Sequence, residues 1–472
     1  MTLTQILAFA ALALVVGLIR RPRLRLFILF TASVLAVFAL QPSLPIRGLD
    51  FWLPTATLAI VVYSWFVTAP SSARSLKQNW RVLAVLAGIL LTLGATRYLD
   101  INLPLPVSRP PQIMQILLAV AILAALGTLI ARLPVWIGSV LIAVLILFLV
   151  VLKSPVLSEW ASAALRRMNQ QSTEMASALD FRWLGFSYIS FRIIHTIRDR
   201  QNGKLPDASL IEYVTYVVFF PALTAGPIHR IERFLSDLRN PAPLNQEKLL
   251  DAGQRFVIGL FKKFVVADCL ALIALNSTNA LQVQHAGWMW LMLYAYAFQL
   301  LFDFSGYTDI AIGIGLLAGI RLPENFNNPY LKPNLTQFWN NWHMSLTQWF
   351  RAYFFNPLTR TMRKKGISIP VIVLNTQVST MLLIGLWHGV SWNFVLWGLW
   401  HGVGLFINNR WSDRTKAWMD THITTRPQRV VSQICGIVLT FNFVALGWVF
   451  FALPKLQMSW HVFLTLFGVN LG

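Results

Sequence analysis

Six apolar windows of near-spanning length follow one another through the first 152 residues, at about 4–19, 26–41, 51–68, 81–96, 112–131 and 134–152. A bilayer's hydrocarbon core takes about 20 apolar residues per helix, and in lipid only helices and closed barrels satisfy their own backbone. Runs this long and uninterrupted are helical, so the chain is expected to be an all-α polytopic membrane protein. Composition agrees: 56% of the 472 residues are hydrophobic and 12% charged, against about 25% charged in soluble domains. A formal charge of +21 would suit a nucleic-acid binder, but its distribution excludes that partner. Arg20, Arg21, Arg23 and Arg25, then Arg74, Lys77 and Arg81, cluster between spans in the positive-inside pattern. They place those loops in the cytoplasm near anionic membrane lipids, and put the N-terminus and the loops at 44–50 and 99–111 outside. The first window runs into RRPRLR with no small-residue cleavage site, so it reads as a span of a multi-pass plasma-membrane protein. Cys269 and Cys435 both lie in apolar stretches, which excludes a disulfide framework.

The expected plan is an N-terminal membrane-helix extension over 1–152, a polar connector over 153–180, a core over 181–408, a polar loop over 409–429, and membrane helices over 430–472. Within it, 181–200 is too polar for a lipid-facing span and reads as a half-buried or interfacial helix. Further spans are expected at 211–228, 253–275, 284–301, 370–387, 389–407, 430–452 and 458–470, with a glycine-rich segment at 305–319. The total is roughly 11–13 membrane segments. No internal repeat stands out, which weighs against an inverted-repeat transporter.

The chemistry concentrates in the second half. Residues 381–402, MLLIGLWHGVSWNFVLWGLWHG, carry two histidines in an apolar run. Ionisable groups at bilayer depth cost several kcal/mol unless they face protein or water, so both are functional candidates. On one straight helix thirteen positions would separate them by about 20 Å and about 220°. They could not share a small site, so His388, deeper in the run, is the expected chemist and His401 a bystander. In NLTQFWNNWHMSLTQWFRAYFF, 334–355, a helix would align His343, Thr347, Phe350 and Arg351 on one stripe. That segment reads either as an interfacial amphipathic helix or as a re-entrant one that carries His343 inward.

His343 and His388 lie on separate elements and can converge. An imidazole can take a hydroxyl proton, and a dry cavity protects a thioester from water, so the pair fits acyl transfer. Asp303 and Asp309 flank Ser305, Tyr307 and Thr308 inside a weakly hydrophobic run; they fall about 240° apart on a helix. A carboxylate dyad is therefore not expected, and each acid is expected to pin a neighbouring helix. PALTAGPIHR, 221–230, turns the backbone at a membrane boundary. No HExxH, CxxC, GxxxxGK[ST], GxSxG or GxGxxG is present, so no metal site, nucleotide hydrolase or elbow serine is expected. The histidine spacings give no matched pair for haem. A transporter or channel for a polymer or lipid-linked substrate is the alternative reading.

With these residues in view, 181–408 resembles the membrane-bound O-acyltransferase superfamily, in the branch of the alginate O-acetylase and the teichoic acid D-alanyl transferase. The resemblance rests on AGPIHR, FDFSGYTDIAIGIGLLAGIRLPENFNNPY, FWNNWHMSLTQWFRAYFF and GLWHGVSWNFVLWGLWHG, in that order. It implies a ring of membrane helices around a central funnel, with His388 as general base and His343 positioning substrates or the imidazole. Asp303, Tyr307, Asn325, Asn327 and Trp342 match family motif positions, and with Trp387 and Arg351 they are the substrate-binding candidates. No bound cofactor is implied. The donor would be a cytoplasmic acyl thioester on coenzyme A (acetyl-CoA) or an acyl carrier protein, the acceptor a hydroxyl of an extracytoplasmic polysaccharide or cell-envelope polymer. An extracytoplasmic esterase-like partner is implied as well. The chain departs from its relatives at Asn341, where arginine is frequent, and at Ala352, where they often read FRD.

Overall fold

The computed structural model describes residues 1–99, 110–241 and 243–469; the outer loop expected at 99–111 lies largely outside them. Among the described residues the fold is helical, with one isolated antiparallel bridge, Phe326 to Trp342. Among the described residues seven helices are long and apolar enough to cross a membrane, or eight if a bent pair counts as one span. The chain divides into two compact units, Met1–Phe256 with Ala311–Pro323, and Val257–Ile310 with Glu324–Gly472.

The N-terminal extension forms α1 (Leu3–Leu18), α2 (Pro22–Ala39), α3 (Leu49–Thr68), α4 (Leu76–Ala95), α5 (Ile113–Ile130) and α6 (Ile137–Lys153). The expected polar connector is largely α7 (Pro155–Met168), bent by 96° from α6. Pro155 has no N–H to continue the ladder of α6, while Ser154 Oγ accepts the Leu157 N–H at 3.4 Å and starts a new helix. α7 is held by Arg166, whose guanidinium meets Asp180 at 2.8 Å with both side chains buried.

The polar run 181–200 becomes α8 (Phe186–Gln201), buried along most of its length. It tolerates its charges by pairing them. Arg192 is fully buried and donates to the carbonyls of Val217 at 2.7 Å and Ala222 at 2.5 Å. The span expected at 211–228 does not form: α9 (Leu210–Val217) is eight residues long and gives way to a 3-10 turn, Phe220–Ala222, at Pro221. α10 (Ile231–Arg239) follows, and its Asp237 accepts from the Arg321 backbone N–H at 2.9 Å and the Arg321 guanidinium at 2.5 Å.

Next come α11 (Gln246–Phe261), a π-helical turn (Lys262–Ala267), and two four-residue helices, α12 (Asp268–Ala271) and α13 (Asn279–Gln282). α14 (Ala286–Leu317) joins the expected 284–301 span and the glycine-rich segment into one helix of 32 residues. Close packing explains why those glycines remain helical. A Cβ on Gly306 would lie 2.8 Å from the Gly259 carbonyl oxygen, a contact only glycine permits.

α15 (Leu335–Asn341), α16 (Met344–Phe350), a second π turn (Arg351–Phe355) and α17 (Asn356–Lys364) replace the single helix expected over 334–355. α18 (Ile369–His388), α19 (Trp392–His422), α20 (Arg426–Ala452) and α21 (Leu456–Leu466) complete the chain. The loop expected over 409–429 is helical as far as His422. There the apolar run ends but the helix does not: Arg410 and Asp413 pair at 2.7 Å, three residues apart on the same face.

Candidate active site

The helix break between α15 and α16 is built from a distance in sequence. Asn325, fully buried, accepts the Met344 N–H on its carbonyl at 3.0 Å and the Ser345 N–H on Oδ1 at 3.1 Å. Asn327 donates its N–H to the Asn341 carbonyl at 3.1 Å, and Phe326 bridges Trp342. This short pairing opens the helix at Trp342 and His343, and Asn325 takes over the capping that the His343 side chain does not provide. His343 consequently adopts φ 43° and ψ 53°, the left-handed region that a residue with a Cβ enters at a cost of about 1–2 kcal/mol. The expected stripe of His343, Thr347, Phe350 and Arg351 is thus interrupted, because His343 lies at the break rather than within a helix.

The His343 ring is buried, meets Phe304 edge-on at 4.6 Å between centroids, and leaves Nε2 without a hydrogen-bond partner. Trp387 lies 6.2 Å from His343 and 4.5 Å from His388, and so connects the two imidazoles. His388 is half-buried at the last position of α18, with Phe451 at 4.8 Å, Trp397 at 5.7 Å and Phe394 stacked at 6.0 Å. The two sequence-predicted histidines therefore meet across one tryptophan.

His401 departs most from expectation. The chain breaks at residues 389–391, so no straight helix separates it from His388, and both rings pack on Trp397, His401 at 5.0 Å. It is fully buried among Trp339, Trp397, Phe443 and Trp448, and neither ring nitrogen has a partner. Gly447 makes room for it, since a Cβ there would stand 2.7 Å from Nε2. His401 is part of the site's wall, not an interfacial bystander. Phe451 and Trp397 also complete the wall; the tryptophan-rich run signals Trp397, while nothing in the sequence marks Phe451.

The other candidates separate into groups. Trp342 is buried against Phe326, Phe338, Tyr330 and Trp448. Asn325 and Asn327 shape the break. Tyr307 is buried on α14. Asp303 pairs with Lys263 at 2.5 Å and Asp309 with Lys262 at 2.7 Å, so both acids pin α14 to the π turn. Arg351 donates to Asn340 Oδ1 at 2.5 Å and borders a cavity of about 930 Å³, open in part, that Trp339, Thr347, Gln377 and Ile384 also line. On α18 the lining runs from Gln377 to Ile384, which is one helical turn before His388. In the turn 221–230, His229 is buried and its carbonyl accepts the Tyr216 hydroxyl at 2.8 Å, an internal tie rather than an interfacial loop.

Among the described residues one cluster has metal-ligand spacing, His195, Asp199 and Glu232. His195 Nε2 accepts the Ile231 N–H at 3.3 Å, which puts its proton on Nδ1, aimed at Asp199 at 3.0 Å. Both nitrogens are engaged, and the cluster reads as a tie between α8 and α10.

The sequence profile of the membrane-bound O-acyltransferase family matches residues 136–453, most of the chain and all of this site. The chain belongs to the membrane-bound O-acyltransferase family. Among curated relatives, the probable alginate O-acetylase AlgI of Azotobacter vinelandii is 38% identical over 286 residues, 60% of this chain and 54% of that protein. The teichoic acid D-alanyltransferase of Streptococcus thermophilus is 33% identical over 294 residues, 58% of this chain and 69% of that one. The peptidoglycan O-acetyltransferase of Helicobacter pylori is 36% identical over 265 residues, 55% and 47% of the two chains. The chain spans about half the length of the alginate relatives it matches. It is a multi-pass, all-α membrane protein of this family.

Proposed function

We propose that this chain is an O-acyltransferase that moves an acyl group, acetyl or D-alanyl-like, from a cytoplasmic thioester to a hydroxyl of an extracytoplasmic polysaccharide or cell-envelope polymer. The observation that carries the reading is the meeting of His343 and His388 across Trp387. The names of the relatives, which act on alginate, teichoic acid and peptidoglycan, support the acceptor class.

The chemistry follows from the half-buried imidazole. His388 takes the proton of the acceptor hydroxyl as its oxygen attacks the thioester carbonyl carbon. A C–O bond forms, the C–S bond breaks, and the imidazolium returns the proton to the leaving thiolate, so the donor departs as a thiol. The aromatic wall of Phe394, Trp397 and Phe451 excludes water, which otherwise competes with the acceptor for the acyl group. The cavity bordered by Arg351 and Gln377 is the route for the thin arm of the donor, coenzyme A or a carrier protein. The esterase-like partner belongs to this proposal as the agent that passes the acyl group on outside.

The test is thiol release by the purified protein in vesicles supplied with acetyl-CoA or acetylated carrier protein and an oligosaccharide acceptor. Release that requires the acceptor and His388 supports the reading. Substrate flux across the vesicle without thiol release contradicts it and favours the transporter.

A further inference from the structure

The N-terminal extension contains a cavity that the acyl-transfer chemistry does not use. It lies among α3, α4 and α5 and has an internal volume of about 120 Å³, continuous with space open to the surroundings. Leu58, Val62 and Phe66 of α3, Leu86 of α4, and Leu123 and Gly127 of α5 line it, with apolar surface on almost every side. Tyr63 donates to the Leu123 carbonyl at 2.9 Å and ties α3 to α5 across it. At Gly127 the nearest side-chain atoms to a built Cβ are Phe66 at 3.7 Å and Tyr63 at 3.8 Å, so the missing side chain is part of the space. Along α5 the lining runs from Val120 to Gly127, about 10 Å of depth.

Close-packed interiors rarely leave such space, and an apolar cavity does not hold water. α4 and α5 are the exposed members of the group: 22% and 11% of their spanning windows are buried, against 72% for α3. The space therefore opens where hydrocarbon chains of the bilayer are the available filler.

One end is charged. Arg74, between α3 and α4, spends its guanidinium on the carbonyls of Ala69 at 2.9 Å, Leu133 at 3.1 Å and Val67 at 3.3 Å, which closes the cytoplasmic end of the three helices. Burial, and then the charge of Arg200, push Arg74 below the ordinary arginine range: positive charge is crowded there. Lys77 and Arg81 are exposed on the first turns of α4, Arg81 5.7 Å over the exposed Trp80 ring, and Arg132 is exposed just past α5. Among the described residues none of these five cations has a carboxylate partner. An amphipathic tryptophan beside unneutralised cations is a headgroup-level arrangement.

We propose that α3, α4 and α5 form a specific site for one anionic phospholipid of the cytoplasmic leaflet, an acyl chain in the cavity and its phosphate at Lys77, Arg81 and Arg132. The full chain is reconstituted in nanodiscs of equal phosphatidylglycerol and phosphatidylcholine, extracted in mild detergent and weighed by native mass spectrometry. The wild-type protein retains about one phosphatidylglycerol. Gly127→Leu, which fills the cavity, retains at least fivefold less, while Lys77→Gln with Arg81→Gln retains lipid without preference for the anionic one. Equal retention by the wild type and Gly127→Leu, or no retention by the wild type, overturns the proposal. A diazirine on the lipid's acyl chain tests the unmodified protein independently of whether Gly127→Leu folds. Labels on Leu58, Val62 and Leu123 are expected, and labels confined to the outward-facing Met114, Leu118 and Ile122 contradict the site.

Discussion

Buried polar groups are treated in opposite ways in the two units. In Met1–Phe256 with Ala311–Pro323 they are paired: Arg166 with Asp180, Arg192 with two carbonyls, Asp237 with Arg321, and Tyr213 with Thr196 at 2.8 Å and Ser64 at 3.0 Å. Most atoms left over there, such as Arg25 Nε, Arg192 Nε and His229 Nε2, belong to groups whose other atoms are bonded, and Ser190 Oγ is the exception. In the second unit His343 Nε2, both nitrogens of His401, Trp339 Nε1 and Trp397 Nε1 are buried with no partner. An unmade buried hydrogen bond costs about 1–3 kcal/mol. Four side chains of one aromatic site bear this cost; under the proposed function, substrate rather than the fold supplies their partner. Paired polarity builds the first unit, and unpaired polarity equips the second.

The contrast breaks most readily at Arg166. Asp180→Ala leaves a buried guanidinium uncompensated, with an expected loss of about 3–5 kcal/mol in thermal or denaturant unfolding. Asp180→Leu with Arg166→Met should recover most of that loss. A fully stable Asp180→Ala protein would remove the distinction between the units.

His401→Leu tests the opposite case. Removing an unpartnered buried imidazole should leave stability unchanged or raise it by about 1–2 kcal/mol, while acyl transfer falls at least tenfold. Strong destabilisation would mean that His401 has a structural partner.

Legibility in the sequence follows the same division. The apolar windows mark the first spans because composition and length suffice there, and His388, His343 and the pinning acids stand out because charge at membrane depth is rare. The break at His343 is not legible. It depends on Asn325 reaching a backbone about twenty residues away, a tertiary capping contact with no local signature. The same limit hid His401, whose depth depends on a chain reversal at 389–391, and joined 284–301 to the glycines beyond it, which are helical only because Gly259 faces Gly306. Ser154 and Pro155 start α7 by local chemistry, yet the polarity of 153–180 conceals a helix that folds against charge partners.

Smaller effects sharpen the comparison. His343→Ala should leave the left-handed backbone cost in place, because alanine pays it as histidine does, and His343→Asn, which tolerates that region, should relieve part of it. Both should lose transfer activity, and the separation of stability from rate is read by comparing unfolding with turnover. Arg351→Gln should change stability by less than about 0.5 kcal/mol, as for an exposed site, and raise the KM for the thioester donor with little change in kcat. A change in kcat alone would move Arg351 away from the donor route.

The most direct test of the account is mass spectrometry of cell-envelope polymers from cells with the intact protein, with His388→Ala, and without the protein. The account predicts an ester-linked mass only with the intact protein, and a loss of transfer of about 10²–10⁴-fold for His388→Ala at unchanged expression. Identical envelopes from all three strains, with the protein confirmed in the membrane, would contradict it.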